Sequence, residues 1–349
     1  MDSVSQLVLG ASVAHITLGN KLGKRAIVIG AVVGTLPDLD VLVPYADAIE
    51  SFTYHRSWSH SLFILTLFSF VLAFLCQRLF SKYELNYWRW WRGLWLVLIT
   101  HALLDAFTVY GTQIWWPLNV PPTAWSSVFI IDPLYTVPLI IGLFIALRRS
   151  WHHSKHIVVT CVVMSSVYLG WTLVAQHITR QKVADTLTQS GIAAKHVLIA
   201  PFPFSLLWRT VVVTDDAYLE GYSSLLDKNT SISLERYNNG KQSCQQWLTH
   251  WPVQRMDWFT NGAFALSVED DVLLLSDLRM GIEDDYVFEF AIADWKNNGW
   301  QKIVTRQMPI NIDGARMSLL FYRMFDESVD LNPLTPKRKM DNSKCTAAS

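Results

Sequence analysis

GLWLVLITHALLDAFTVYG, residues 93–111, is apolar and about as long as a membrane span, yet it carries a histidine and an aspartate. A helix of about 20 apolar residues crosses a bilayer, and an ionisable side chain at that depth is costly enough to mark a functional position. His101 and Asp105 are four residues apart, so they share one helix face. The same mixture recurs on either side of two other apolar runs. Asp38 and Asp40 sit in LPDLD (36–40), directly after AIVIGAVVGTL (26–36). His55 and His60 sit in HRSWSHS (55–61), directly before SLFILTLFSFVLAFLC (61–76). Imidazole and carboxylate together are the ligand set of divalent metals such as zinc.

Composition supports a membrane protein. Hydrophobic residues make up 51% of the 349 and charged residues 17%, below the quarter or so that soluble domains carry. The 16 tryptophans gather near the ends of apolar runs, as an interfacial belt requires. A formal net charge of zero gives no bulk electrostatic case for a nucleic-acid partner. The cysteines form no metal or disulfide spacing, and Cys244 and Cys345, far apart in the chain, are expected to be free. Lys21, Lys24 and Arg25 follow the first apolar stretch instead of preceding it, which is not the order of a cleaved signal peptide.

Four stretches read as membrane helices, at 61–77, 93–110, 129–147 and 157–176, with two weaker ones at 4–19 and 26–36. The connecting segments alternate in charge. Arg78, Lys82, Arg89 and Arg92 precede the second helix, and Arg148, Arg149 and Lys155 follow the third, whereas 111–128 has no lysine or arginine. The positive-inside rule places the basic segments in the cytoplasm. It places 37–60 and everything after about 177 outside, which predicts a multi-pass protein of the bacterial inner membrane with a periplasmic C-terminal part.

From 177 the pattern changes. HITRQKVADTLTQSGI (177–192) reads as a polar helix. Short alternating runs follow at 195–202, 206–215, 217–226, 262–268, 271–281, 285–294 and 301–307, rich in Val, Leu, Phe and Tyr and parted by Asp, Asn and Gly. These are strand signals. The predicted architecture is therefore a polytopic α-helical membrane domain over 1–176, a β-rich (α+β) soluble domain over 177–330, and a disordered tail over 331–349.

This topology tests whether the polar residues can meet. Asp38 and Asp40 end a stretch rising from the inner basic cluster, and His55 and His60 precede a helix that starts outside. Asp105 lies about 18 Å along a helix that starts inside. All three motifs converge on the outer leaflet. A divalent ion held there lowers the pKa of a bound water and polarises a carbonyl or phosphoryl oxygen. The side chains Asp38, Asp40, His55, His60, His101 and Asp105 outnumber what one zinc needs, so either two metals bind or some members orient the others and act as general base. Arg56 is suited to hold an anionic oxygen. His15 lies toward the cytoplasmic side in a simple hairpin, as a core histidine or a further ligand.

At these residues the chain resembles the YdjM-type membrane-bound metal-dependent hydrolases, a bacterial inner-membrane family. The resemblance rests on the early His15, LPDLD, HRSWSHS and ITHALLDAFTVYGTQIWWP (99–117), matching a PD-x-D motif, an HR…THS motif and an H-x₃-D helix followed by a Trp-Pro. It covers about residues 1–150 and carries over to Asp38, Asp40, His55, Arg56, His60, His101 and Asp105. Ser59 stands where the family commonly has threonine, and keeps the hydroxyl. The resemblance implies a metal-dependent hydrolase. In that reading the metal, zinc by its ligand set, is bound by Asp38, Asp40, His55, His60, His101, Asp105 and His15. Asp38 or Asp40 serves as base, and Arg56 steadies negative charge. The substrate expected at the outer leaflet is a lipid or envelope-linked ester or phosphoester, with membrane lipids as neighbours. The alternative is a non-enzymatic membrane protein in which the cluster locks the helices and the β-domain binds a protein partner. A transporter relay needs ionisable groups through both leaflets, and here they gather in one.

Overall fold

The computed structural model describes residues 1–283, 285–310, 314–329, 331 and 345. The tail expected over 331–349 thus lies outside the described residues, apart from Leu331 and Cys345. The chain divides into two units, 1–43 with 54–174, and 44–53 with 175–349.

The first unit is helical. Helix α1 (Ser3–Leu22) is capped by the Asp2 carboxylate, which accepts from the Val4 and Ser5 amides, and it turns at Gly23 into α2 (Arg25–Thr35). These two helices meet backbone to backbone. A Cβ on Gly30 would lie 2.3 Å from the Gly10 carbonyl oxygen, and one on Gly10 2.9 Å from the Gly34 Cα. Small residues four apart permit such an approach between membrane helices.

The chain then enters a 3-10 turn, Pro37–Leu42, and returns through a second one, Trp58–His60, into α4 (Leu62–Leu79). Between the two turns, helix α3 (Ala48–Tyr54) packs almost wholly in the second unit. Helix α5 (Tyr87–Ala106) is the core of the helical unit: Trp90, Leu94, Val97, Leu98, His101, Ala102 and Asp105 are all buried. Their three- and four-residue spacing is one helical face, and it carries both ionisable residues inward.

The segment after α5 folds back on its end. Trp125 donates to the Ala106 carbonyl and Ser127 to that of Phe107, occupying oxygens that the helix terminus leaves open. The same segment pins the second turn, through Gln113 N–H to the Arg56 carbonyl (2.9 Å) and Leu62 N–H to that of Ile114 (3.0 Å).

Helix α6 (Pro133–Arg148) is shorter than the expected 129–147 span. Its start is set by Pro133 in the first turn and by Asp132, whose carboxylate accepts from the Leu134 amide. Helix α7 (Trp151–Ser190) runs for 40 residues, so the apolar run and the polar segment after 177 form one helix. Among the described residues, α4 and α7 are long and apolar enough to cross a membrane, where four such helices were expected. The difference has two sources: α6 is cut to 16 residues, and α5 begins among Arg89, Arg92 and tryptophans and is buried by its neighbours.

The second unit contains two four-stranded antiparallel sheets. One has the order β1 (His196–Pro201), β2 (Leu207–Val213), β3 (Ala217–Ser224), β4 (Glu235–Asn238). The other comprises β5 (Phe264–Glu269), β6 (Val272–Asp277), β9 (Glu289–Lys296) and β10 (Gly299–Gln307), in the order β10-β9-β6-β5. The short pair β7 (Gly281–Ile282) and β8 (Asp285–Tyr286) lies between β6 and β9 in the chain. Each of the seven expected runs holds a strand, with 285–294 divided between β8 and β9, and β4, α8 (Trp251–Thr260) and α9 (Gly314–Arg323) are additions.

Helix α3 is held within this unit. Phe52 packs among Phe259, Phe288 and Phe290, with ring centroids 4.5–5.3 Å apart. Thr305 Oγ1 donates to Asp47 (2.9 Å) and accepts from the Ile49 amide (3.1 Å). Cys244 and Cys345, expected to be free, form a disulfide with Cα atoms 4.8 Å apart. A separation of 101 residues along the chain says nothing about separation in space.

Candidate metal centre

Four side chains meet at the centre of the helical unit. Asp38 comes from the first 3-10 turn, His60 from the second, and His101 and Asp105 from the inward face of α5. One donor atom from each lies within 4.8 Å of all the others. His60 Nε2 is 3.1 Å from His101 Nε2 and 3.1 Å from Asp105 Oδ2. Asp38 Oδ1 is 3.5 Å from both imidazole nitrogens, and His101 Nε2 is 3.5 Å from Asp105 Oδ2. Zinc binds nitrogen and oxygen at roughly 2.0–2.1 Å in tetrahedral sites, which sets ligand edges of about 3.3–3.4 Å. Five of the six edges, at 3.1–3.5 Å, bracket that value.

The hydrogen bonds behind the cluster fix what it presents. His101 Nδ1 lies 2.6 Å from the Gly34 carbonyl oxygen, which can only accept, so Nδ1 carries a proton and, in the neutral ring, Nε2 is the lone-pair nitrogen. Ser59 Oγ lies 2.5 Å from Asp40 Oδ2 and 2.9 Å from His60 Nδ1. The hydroxyl donates to the carboxylate and so accepts from His60 Nδ1, which makes Nε2 the lone-pair nitrogen of the neutral His60 ring as well. Two bare imidazole nitrogens and two carboxylate oxygens therefore face one another. Asp105 Oδ2 is buried, with His60 Nε2 at 3.1 Å and Arg56 Nε at 3.4 Å beside it. Acceptors gathered at this spacing, most of them out of reach of water, suit a cation between them, and the residues present fit a divalent metal.

The other residues singled out in the sequence take different places. Asp40 stands behind His60 with both oxygens engaged. Oδ1 accepts from His55 Nδ1 (2.7 Å), and Oδ2 accepts from the Arg56 amide (2.8 Å) and the Ser59 hydroxyl. His55 points its remaining nitrogen away from Asp40, and its side chain is 26% exposed. Arg56 is buried in a left-handed backbone conformation, φ 59°, which a non-glycine residue rarely adopts. Its Nε is 3.4 Å from Asp105 Oδ2, and its guanidinium lies 5.1 Å from the Tyr110 ring centroid. His15 is elsewhere in the unit: its Nε2 is 3.0 Å from Ser154 Oγ, so it is not a member of the cluster.

Gln6 is a member that the motifs did not reveal. Its amide donates to Asp105 Oδ1 (2.9 Å) and to the His101 carbonyl (3.2 Å). The main-chain nitrogen of Met1 donates to the same carboxylate oxygen. The available signal was a lone amide in the otherwise apolar run VSQLVLG.

A model of the YdjM inner membrane protein family matches residues 1–179, the segment that holds every member of this cluster. The chain belongs to the YdjM inner membrane protein family. It is similar to the uncharacterized protein YfhP of Bacillus subtilis, with 22% identity over 243 residues, 65% of this chain and 71% of that protein. It is also similar to the inner membrane protein YbcI of Escherichia coli, with 32% identity over 102 residues, 28% of this chain and 57% of that protein. No solved structure matches the chain. This member of the family is thus a membrane protein with a His/Asp cluster able to hold a metal ion.

Proposed function

We propose that this YdjM-family protein is a multi-pass, metal-dependent hydrolase of the inner membrane, acting on a lipid or envelope-linked ester or phosphoester. The observation that carries this reading is the convergence of two imidazole nitrogens and two carboxylate oxygens, with the Nδ1–H groups of both rings tied outward. Asp38, His60, His101 and Asp105 would hold the metal, zinc by ligand type. When bound, such an ion lowers the pKa of water and polarises an ester or phosphoryl oxygen.

The chain's own residues divide the remaining work. Asp40 fixes His55 through Nδ1, so the exposed nitrogen of His55 is the one able to take and return a proton. With both oxygens bonded, Asp40 positions His55 and His60 and does not itself act as base. Arg56 balances the Asp105 charge and supplies positive potential to an anionic substrate group.

Two observations support a membrane-borne substrate. Leu39, Val41, Leu42 and Trp58 are exposed large apolar residues on the very turns that carry Asp38 and His60, suited to an acyl or prenyl anchor at headgroup depth. The outward faces of α4, α6 and the apolar part of α7 are also apolar, with Leu67, Phe74, Ile141, Phe144, Met164 and Val167 exposed, as lipid-facing surfaces of a multi-pass bundle are. The Cys244–Cys345 disulfide supports an extracytoplasmic second unit, because disulfides persist in oxidising compartments.

A structural metal is the second reading, because His60, His101 and Asp105 are buried and four protein ligands complete a tetrahedral set. Against it stands Asp38, whose side chain is 20% exposed. The test is to reconstitute the protein with envelope lipid extract and follow the lipids by mass spectrometry beside Asp105→Asn and His55→Ala. Hydrolysis products made by wild type and lost in both variants support the enzyme. Identical lipid profiles with metal bound leave the structural reading for lipid substrates.

A further inference from the structure

We propose that the outward face of helix α9 lies on the bilayer surface and holds the second unit against the membrane. The helix is strongly two-sided. Leu320 and Met324 are buried against Leu207. Arg323 makes a paired hydrogen bond to Asp227 (2.7 and 2.9 Å), and Ser224 Oγ donates to the Met324 carbonyl (2.7 Å). These contacts fix the helix's rotation. The side chains next to this buried strip point outward: Met317 at 46% exposure, Phe321 at 52%, Tyr322 at 63% and, just beyond the helix, Phe325 at 58%.

Met317, Phe321 and Phe325 recur every four residues, and the last two rings touch edge to face at 5.6 Å. Scattered single apolar residues on a surface are ordinary, whereas a contiguous stripe of bulky ones marks an interaction surface. Aromatic and methionine side chains on one face of a short amphipathic helix suit the headgroup–acyl boundary.

Two features favour a bilayer over a protein partner. The chain belongs to an inner-membrane family. Helix α7 passes without a break from the first unit into the second at residue 175, so the second unit is tethered directly to an apolar helix.

The experiment uses the full chain in nanodiscs of phosphatidylethanolamine and phosphatidylglycerol. A p-benzoyl-phenylalanine photoprobe replaces Phe321 or, in a second variant, Phe325. The exposed strand residue Gln301 serves as the control position. Irradiation is expected to give phospholipid adducts on the peptides bearing positions 321 and 325, and none at 301. Failure of both positions to label lipid, equal labelling at 301, or crosslinks from 321 and 325 to a second copy would overturn the proposal. Because the readout is lipid contact and not turnover, it stands or falls independently of the hydrolase reading.

Discussion

His101 donates its Nδ1 proton to the carbonyl oxygen of Gly34 across 2.6 Å, and this one bond sets the chemical character of the centre. It locks the tautomer, aims Nε2 at His60 and Asp105, and ties α5 to the end of α2. Bonds of this kind raise the basicity of a metal-binding imidazole and fix its ring orientation. Protein purified in detergent without chelator should therefore contain a divalent metal at about one per chain. His101→Ala and Asp105→Asn should each lose it while still inserting in the membrane. Elemental analysis of wild type and variants checks this, and stoichiometric metal in both variants would refute the four-ligand assignment.

Ser59 passes the constraint of Asp40 on to His60. Its hydroxyl both donates to the carboxylate and accepts from the imidazole. Ser59→Ala should therefore weaken metal binding by roughly 10–100-fold, the usual effect of removing such a partner. Ser59→Thr keeps the hydroxyl and should retain most of the affinity. Competition with a chromophoric chelator measures both. Equal affinity in all three proteins would mean that the relay is not needed.

Gly30 controls the site from a distance through helix packing. A Cβ there would lie 2.3 Å from the Gly10 carbonyl oxygen and 2.4 Å from the Ala14 Cβ, so Gly30→Val must push α2 away from α1. Overpacking of this kind costs about 1–3 kcal/mol, and because Gly34 rides on the same helix, metal affinity should fall with stability. Gly170→Ala on α7 meets nothing within 4 Å and should alter neither. Thermal unfolding and metal content are read together; a Gly30→Val protein as stable as Gly170→Ala would disprove the contact.

How much of this was legible in the sequence depends on which interactions are local. The i, i+4 pair on α5 was legible because an ionisable group inside an apolar run is too costly to keep without a use. The seven strand runs named from 195 onward were equally so, since alternation and turn residues are local signals, whereas β4 escaped them. Less legible was the division of labour among the acidic and histidine residues. Asp38 and Asp40 are two residues apart, yet one faces the cluster and the other faces His55, and only the shape of the 3-10 turn decides between them. The contribution of Gln6 and the capture of 44–53 by the second unit depend on contacts between distant segments. AIESFTY looks like an ordinary loop until Phe52 meets Phe259, Phe288 and Phe290. The disulfide was hidden for the same reason.

In the second unit, Lys241 gives a pH signature. Its ammonium donates to the Gly262 carbonyl (2.8 Å) and lies 3.8 Å from the Phe264 ring centroid. Burial pushes its pKa from the ordinary 10.5 down to about 8, against the opposing pull of Asp257. Below pH 8 both folded and unfolded chains carry the proton. Between about 8 and 10.5 the unfolded chain keeps a proton that the folded one has released, so stability rises with pH across that window. Lys241→Met, which retains length without charge, should lack that rise. Thermal melts of the two proteins from pH 7 to 10 compare the slopes, and parallel curves would refute the burial argument.

The orientation of the second unit is the last prediction. Basic residues flank the C-terminal end of α4, the N-terminal end of α5 and the junction of α6 with α7, whereas 111–128 has no lysine or arginine, so the positive-inside rule predicts that 177–349 lies outside. The Cys244–Cys345 bond points the same way, since a reducing cytoplasm would keep both thiols free. Alkaline phosphatase, active only outside, should be active when fused after residue 349 and inactive when fused near His153. In cells treated with a thiol reagent before lysis, Cys244 and Cys345 should resist labelling until a reductant is added. Phosphatase activity at 153 but not at 349, with both thiols free, would invert the topology. It would also move the metal centre, together with any substrate it meets, to the cytoplasmic leaflet.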